Sequence, residues 1–248
     1  MLANNLIKKY ISIYKNYGKI EPITTIFIKR RLEILEETIK NGGDGKTLLD
    51  IGSNIGIFSL LFAKKGYAIT ALEPEKNLIQ VADKLFKING HKAEFISKKI
   101  EDLKEKEKYD IILCLEVLEH LNNQDLALQK IYTLLKKEGL VIISMPNLFS
   151  YYYLRKRFFA EILGQMKKEG SEHYKWPFTK IKNLIKKNNF KILSVRGIMI
   201  LPIEPKIQVF LQRKLSPLYN LLERLDLILS SFPILNNFGA NIILFIQK

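Results

Sequence analysis

Along this 248-residue chain the apolar positions change period, and the changes divide it into elements. From 24 to 40 they fall four and three apart, at Ile28, Leu32, Leu35 and Ile39, which is the spacing of one helical face. Residues 2–17 read as a helix as well, and "NGGDG" at 41–45 breaks the pattern. Short β-rich runs follow at 47–51, 67–72, 92–96, 109–114 and 140–145, with helical stretches at 56–65, 75–88 and 124–136 between them. These runs are apolar on both faces, which predicts a parallel sheet covered by helices on each side. After "MPN" at 145–147 the pattern gives helices at 148–166 and 178–188 and a strand at 190–196. A long helical segment at 205–231 and a last strand at 241–246 complete it.

The length suits one large α/β domain with appendages. Hydrophobic and charged contents of 47% and 26% are ordinary for a globular protein, but 40 Lys and Arg against 25 Asp and Glu give a net charge of +15. Such a surface is drawn to nucleic acid, anionic lipid or an acidic substrate, unless the basic pairs spread along the chain merely reflect a Lys-rich composition. The single cysteine, Cys114, allows no intrachain disulfide and suits a reducing, cytoplasmic setting. Lys8, Lys9 and Lys15 interrupt the apolar start, so no secretory leader is expected in residues 1–20. Residues 227–247 lack charge over a length that could span a bilayer. Pro233, Asn236, Asn237, Gly239 and Asn241 interrupt them, so a helix, a turn and a strand are expected instead.

The chemistry begins at "LLDIGSNIG", Leu48 to Gly56. An acid and two glycines follow a β run and precede a helix, which in an open α/β sheet is where ligands bind. Gly52 permits an unusual backbone angle and close ligand approach. Glu73, ending the next β run in "ITALEPE", could accept both hydroxyls of a ribose. The glycines stand four apart, unlike the GxGxxG of dinucleotide enzymes. "GDGKT" at 43–47 imitates the end of a P-loop, but it precedes a strand and has Lys40 where that loop needs glycine.

From these residues the chain resembles the class I S-adenosylmethionine-dependent methyltransferases, although Asn54 stands where their first motif commonly has a glycine. "SKKIEDL" at 97–103, "YDIILCLEVLEHL" at 109–121 and "LLKKEGLVIISMPN" at 134–147 are similar to that family's later motifs, in order. Lys99 departs from the usual Asp, so only Ile100 carries over there. The resemblance covers about 45–197 and implies a Rossmann-like seven-stranded sheet, mostly parallel with the strand at 241–246 antiparallel. It implies S-adenosylmethionine as cofactor, held by Asp50, Gly52, Ser53, Asn54, Gly56, Glu73, Pro74 and Ile100, with Leu115 and Glu116 beside its methionine end. The expected organisation is a pair of N-terminal helices (1–42) over the site, then a methyltransferase domain (43–248) with a lid at 148–176 and a helical insertion at 198–240.

"EVLEHL" offers two readings. If 116–121 begins a helical turn, Glu116, Glu119 and His120 share one face at i, i+3 and i+4. With His173 of "EHYKWPF" they could hold a divalent metal. ExxEH with a distant His resembles the metal-dependent 2′-O-methyltransferases of small RNA. ExxEH alone resembles the ubiquinone-pathway O-methyltransferases, and in both the metal would activate the acceptor hydroxyl. In the other reading the Glu packs under the cofactor, and His120 or His173 is the general base. Cys114 reads as a buried strand residue.

"LFSYYYLRKRFFAEILGQ", 148–165, interleaves Tyr151–Tyr153 and Phe158–Phe159 with Arg155–Arg157. It could clamp RNA, rest on an anionic membrane, or simply present a solvated basic face. The Leu-rich stretch within 197–240 favours a hydrophobic or lipid-linked acceptor, or a dimer face, over an RNA groove. The expected function is therefore O-methylation of a small molecule, quinone precursor or glycan. A nucleic-acid methyltransferase is the alternative, and peripheral attachment to an anionic membrane is expected.

Overall fold

The computed structural model describes residues 5, 8, 12, 22–39, 43–104, 108–151, 153–154, 177–201, 203 and 205–248. Helix α1 (Pro22–Thr38) precedes an alternating series: β1 (Thr47–Ile51), α2 (Ile57–Ala63), β2 (Ala68–Leu72), α3 (Lys76–Ile88) and β3 (Glu94–Ile96). Then come β4 (Tyr109–Leu115), α4 (Gln124–Leu134), β5 (Leu135–Pro146), α5 (Phe178–Lys187) and β6 (Lys191–Ile198). Helices α6 (Pro205–Lys214) and α7 (Ser216–Ser231) lead to β7 (Asn241–Gln247).

The seven strands lie in the order β3-β2-β1-β4-β5-β7-β6. All pairs from β3 to β5 are parallel, and β7 runs antiparallel between β5 and β6. The parallel part is what the apolar runs predict, and the full Rossmann-like sheet of seven strands is what the family resemblance implies. Successive strand residues feed opposite layers. Leu48, Ile111, Leu113, Ile142 and Ile243 pack with α1, α2 and α3, whereas Leu49, Ile112, Cys114, Ile143 and Leu244 pack with α4 and α5. Burial on both faces explains why these strands read as continuous apolar runs. The chain proceeds outward from β1 to β3 and then returns to β4 on the other side of β1. The carboxyl ends of β1 and β4 therefore flank the switch point in strand order, where such sheets open a crevice.

Several boundaries differ from the sequence reading. The expected helix at 124–136 stops at Leu134, because Leu135 already pairs with Tyr109. The pairing register then shifts before Leu140 joins Ile111. The single helical segment expected at 205–231 is two helices, since Leu215 leaves helical geometry and Pro217 opens α7. The uncharged stretch at 227–247 is the end of α7, a 3₁₀ turn (Leu235–Phe238) and β7, as expected. Among the described residues no helix is long and apolar enough to cross a membrane. Of the helix expected at 2–17 only residues 5, 8 and 12 are described, each helical. Tyr151, Tyr153 and Leu154 are helical, and the rest of the expected lid beyond them, His173 included, lies outside the described residues.

Candidate active site at the switch point

The turn after β1 is built from three left-handed residues at alternate positions: Gly52 (φ 70°), Asn54 (φ 52°) and Gly56 (φ 71°). Asn tolerates this region better than other residues with a Cβ, which accounts physically for Asn54 in a glycine's place. Its side-chain carbonyl accepts from the Ile55 amide at 2.8 Å. A Cβ on Gly52 would fall inside van der Waals contact of Val117 Cγ2, so the strand end and the segment after β4 already touch there. Gly56 begins α2, where a Cβ would press on Phe86 of α3 at 3.1 Å.

Glu73 closes β2 and ties this turn in place. Its carboxylate accepts from the Asn54 amide at 2.9 Å and the Glu75 amide at 3.1 Å. Asp50 is placed differently from the expectation. Its side chain is buried beneath the turn and accepts a hydrogen bond from Ser59 of α2. Burial, with the Glu73 charge adding and the Ser59 bond opposing, raises its pKa to about 7. Asp50 thus supports the turn from inside the fold. Ser53, Ile100 and Leu115 are buried around the same carboxyl edge, and exposed Pro74 offers its carbonyl to Ser97 Oγ at 3.2 Å.

Glu116, the first residue after β4, is the centre of the polar network. It is left-handed, with φ 58°. Its Oε1 accepts from Asn241 Nδ2 of β7 at 2.8 Å and from Ser144 Oγ of β5 at 3.1 Å. Arg31 of α1 reaches the same oxygen at 3.1 Å through a guanidinium whose side chain is only 8% exposed. Arg31 was absent from the sequence reading. The signal for it lay on the apolar face of α1, where position 31 falls three after Ile28 and four before Leu35. A cation there either pairs in the interior or waits for an anion. Arg31 Nε, Ser53 Oγ and Asn241 Oδ1 are all buried without a hydrogen-bond partner among the described residues. Most buried polar groups are satisfied, so these orphans, two on residues that contact Glu116 and one in the turn after β1, are candidate partners for a polar ligand.

The shared helical face proposed for Glu116, Glu119 and His120 needs correction. Glu116 is not helical, and only Leu118–His120 make a single 3₁₀ turn. Glu119 is buried, its carboxylate oxygens have no hydrogen-bond partner among the described residues, and burial followed by the Glu116 charge pushes its pKa up. His120 is exposed. Among the described residues no three His, Cys, Asp or Glu side chains gather as metal ligands. Cys114 is fully buried and burial raises its thiol pKa, which leaves it a packing residue.

Residues 26–195 match the family model described as a methyltransferase domain. A ubiquinone biosynthesis O-methyltransferase of Rickettsia canadensis is 29% identical over 174 residues, spanning 68% of this chain and 74% of that protein. An S-adenosylmethionine-dependent methyltransferase from Clostridium acetobutylicum superposes with a TM-score of 0.60 at 15% identity, covering 97% of this chain and 98% of that one. Magnesium protoporphyrin IX methyltransferase from Synechocystis, with S-adenosylhomocysteine bound, gives 0.61 at 16% identity over 97% and 94%.

Proposed function

The chain belongs to the class I S-adenosylmethionine-dependent methyltransferases, and from that premise we propose that it methylates a hydroxyl oxygen of a small acceptor. A quinone precursor or a lipid-linked glycan is the acceptor class. The observation that carries the reading is the set of orphaned buried polar atoms, Ser53 Oγ in the left-handed turn and Arg31 Nε and Asn241 Oδ1 on the residues that contact Glu116. They fit an amphoteric, hydroxyl-bearing cofactor. S-Adenosylmethionine supplies the methyl group when bound.

In this reading each residue has a separate task. Gly52, Ser53 and Asn54 present backbone at close range, and Gly56 lets α2 begin without a Cβ in the way. Glu73 exchanges one of its backbone partners for the ribose hydroxyls. Pro74 and Ile100 border the adenine end. Leu115 and Glu116 flank the methionine end, where Arg31 offers a free N–H to the carboxylate. Asp50 acts indirectly by holding the turn to α2. Helix α1 brings Arg31 to Glu116 and so adds a charge at the crevice. His120 and His173 are the candidate bases for removing the acceptor's proton. Glu119, kept protonated by burial, is poorly suited to that task near neutral pH. The similarity to ubiquinone-pathway enzymes supports an oxygen nucleophile.

Two measurements test this. Calorimetry should show S-adenosylhomocysteine binding to the full chain, weakened about tenfold or more by Arg31→Ala, with Arg31→Lys recovering little because it lacks the fork. Labelled cofactor with a panel of dihydroxyaromatic, glycan and RNA acceptors should then put label on oxygen of a small molecule. Label only on RNA, or only on nitrogen or carbon, would overturn the proposal while leaving the family membership intact.

A further inference from the structure

We infer that the outer face of the α6–α7 pair is a docking surface for an anionic phospholipid bilayer. The two helices form an excursion between β6 and β7, and their inner side is well anchored. Tyr219, Asp226 and Ser230 are buried. Glu223 accepts from Tyr219 Oη at 2.6 Å and from Lys29 Nζ of α1 at 2.9 Å, and Asp226 accepts from the Leu201 amide at 2.8 Å.

The opposite side is unusual. Leu218, Leu221, Leu225, Ile228 and Phe232 follow each other at alternating spacings of three and four, so they form one stripe along α7. Each is between 42% and 55% exposed. Ile207 and Phe210 of α6 and Ile234 and Phe238 of the following turn are exposed too. Large apolar side chains are therefore exposed on both helices and on the turn that follows them. Single exposed leucines are unremarkable, but a stripe of five large apolar side chains at helical spacing marks an interaction site.

Charge selects the partner. Among the described side chains of 205–238 the exposed charges are Lys214 and Arg224, whereas the acids Glu223 and Asp226 turn inward. Glu33 and Glu37 of α1 lie beside Arg224 on the flank away from the stripe, so a second copy docked on the stripe itself would set Lys214 and Arg224 against their own like. Apolar side chains rimmed by cations instead complement a bilayer with anionic headgroups, and the net charge of +15 acts in the same direction.

The test uses sedimentation of the full chain with vesicles of phosphatidylcholine alone and of phosphatidylcholine with phosphatidylglycerol. Binding should be about tenfold tighter to the anionic vesicles and should fall with salt. Leu221→Glu with Ile228→Glu should lower it about tenfold or more, and Lys214→Glu with Arg224→Glu about as far. The second pair lies on the surface and keeps the test open if the first misfolds; melting temperature and S-adenosylhomocysteine binding report folding in both. Hydrogen exchange should slow in 216–232 only when anionic vesicles are present. Vesicle binding that neither pair changes would overturn the inference. So would a stable dimer that Leu221→Glu with Ile228→Glu dissociates and that shows no vesicle affinity.

Discussion

Asp50 provides a prediction whose sign and size both follow from its position. The folded chain holds its carboxyl near pKa 7, against an ordinary 3.8. Below about pH 4 both folded and unfolded chains keep the proton, and the stability associated with it is fully present. Between that point and about pH 7 the unfolded chain has released the proton while the folded chain retains it, so stability falls as pH rises. About three pH units at about 1.4 kcal/mol each set an upper limit of about 4 kcal/mol on the loss. Asp50→Asn removes the titration and keeps an amide oxygen to accept from Ser59. Urea unfolding of both proteins without cofactor, from about pH 4 to about pH 8, isolates the effect as the difference between the two stabilities. That difference should shift steadily against the wild type across the window and level off above about pH 7. A flat difference would show that Asp50 is not perturbed. A difference that moves toward the wild type with rising pH would mean that the folded state prefers the carboxylate, and would refute the reasoning.

Three other outcomes are expected. Gly52→Ala should cost about 1–2 kcal/mol from its left-handed angle, plus the overlap with Val117, and should weaken S-adenosylhomocysteine binding; adding Val117→Ala should relieve the overlap but not the angle, so urea melts should recover only part. Glu223→Gln should destabilise by about 1–3 kcal/mol by thermal or urea melt, since Lys29 and Tyr219 lose a charged partner. Glu223 is held below its usual pKa chiefly by the Tyr219 bond and Arg30 against the cost of burial, so its contribution is present above its unfolded pKa and fades as pH falls. Exhaustive chelation should leave methyl transfer unchanged, because Glu116 is occupied by Arg31, Ser144 and Asn241 while Glu119 and His120 point to different surroundings; activity lost to chelator and restored by a divalent ion would contradict this.

The sheet was legible because burial on both faces left continuous apolar runs, and the first turn because glycines announce left-handed backbone. Where a side-chain-bearing residue adopts that backbone, no such mark exists. Glu116 at φ 58° looks in sequence like the start of a helical turn, and from this came the mistaken shared face with Glu119 and His120. Pro217 was visible, yet the leucines on either side kept helical spacing and hid the break before α7. Leu135 was assigned to a helix because "LKKEGL" carries no β signal, and its strand geometry comes from pairing with Tyr109. Arg31 shows in the sequence as a cation on the apolar face of α1, but its pairing with Glu116 comes from tertiary packing that no local pattern encodes.

The placement of β7 between β5 and β6 has a consequence for how the protein is made. A ribosome releases β6 before β7, yet among the described residues β6 pairs with β7 alone, so the earlier strand must wait for the later one. Asn241, which holds Glu116 in place, arrives with that same late strand. Nascent chains halted short of residue 241 therefore have a glycine turn but no finished crevice, and an edge open to wrong pairing. The outer edge of the sheet and the Glu116 network both wait on the synthesis of β7.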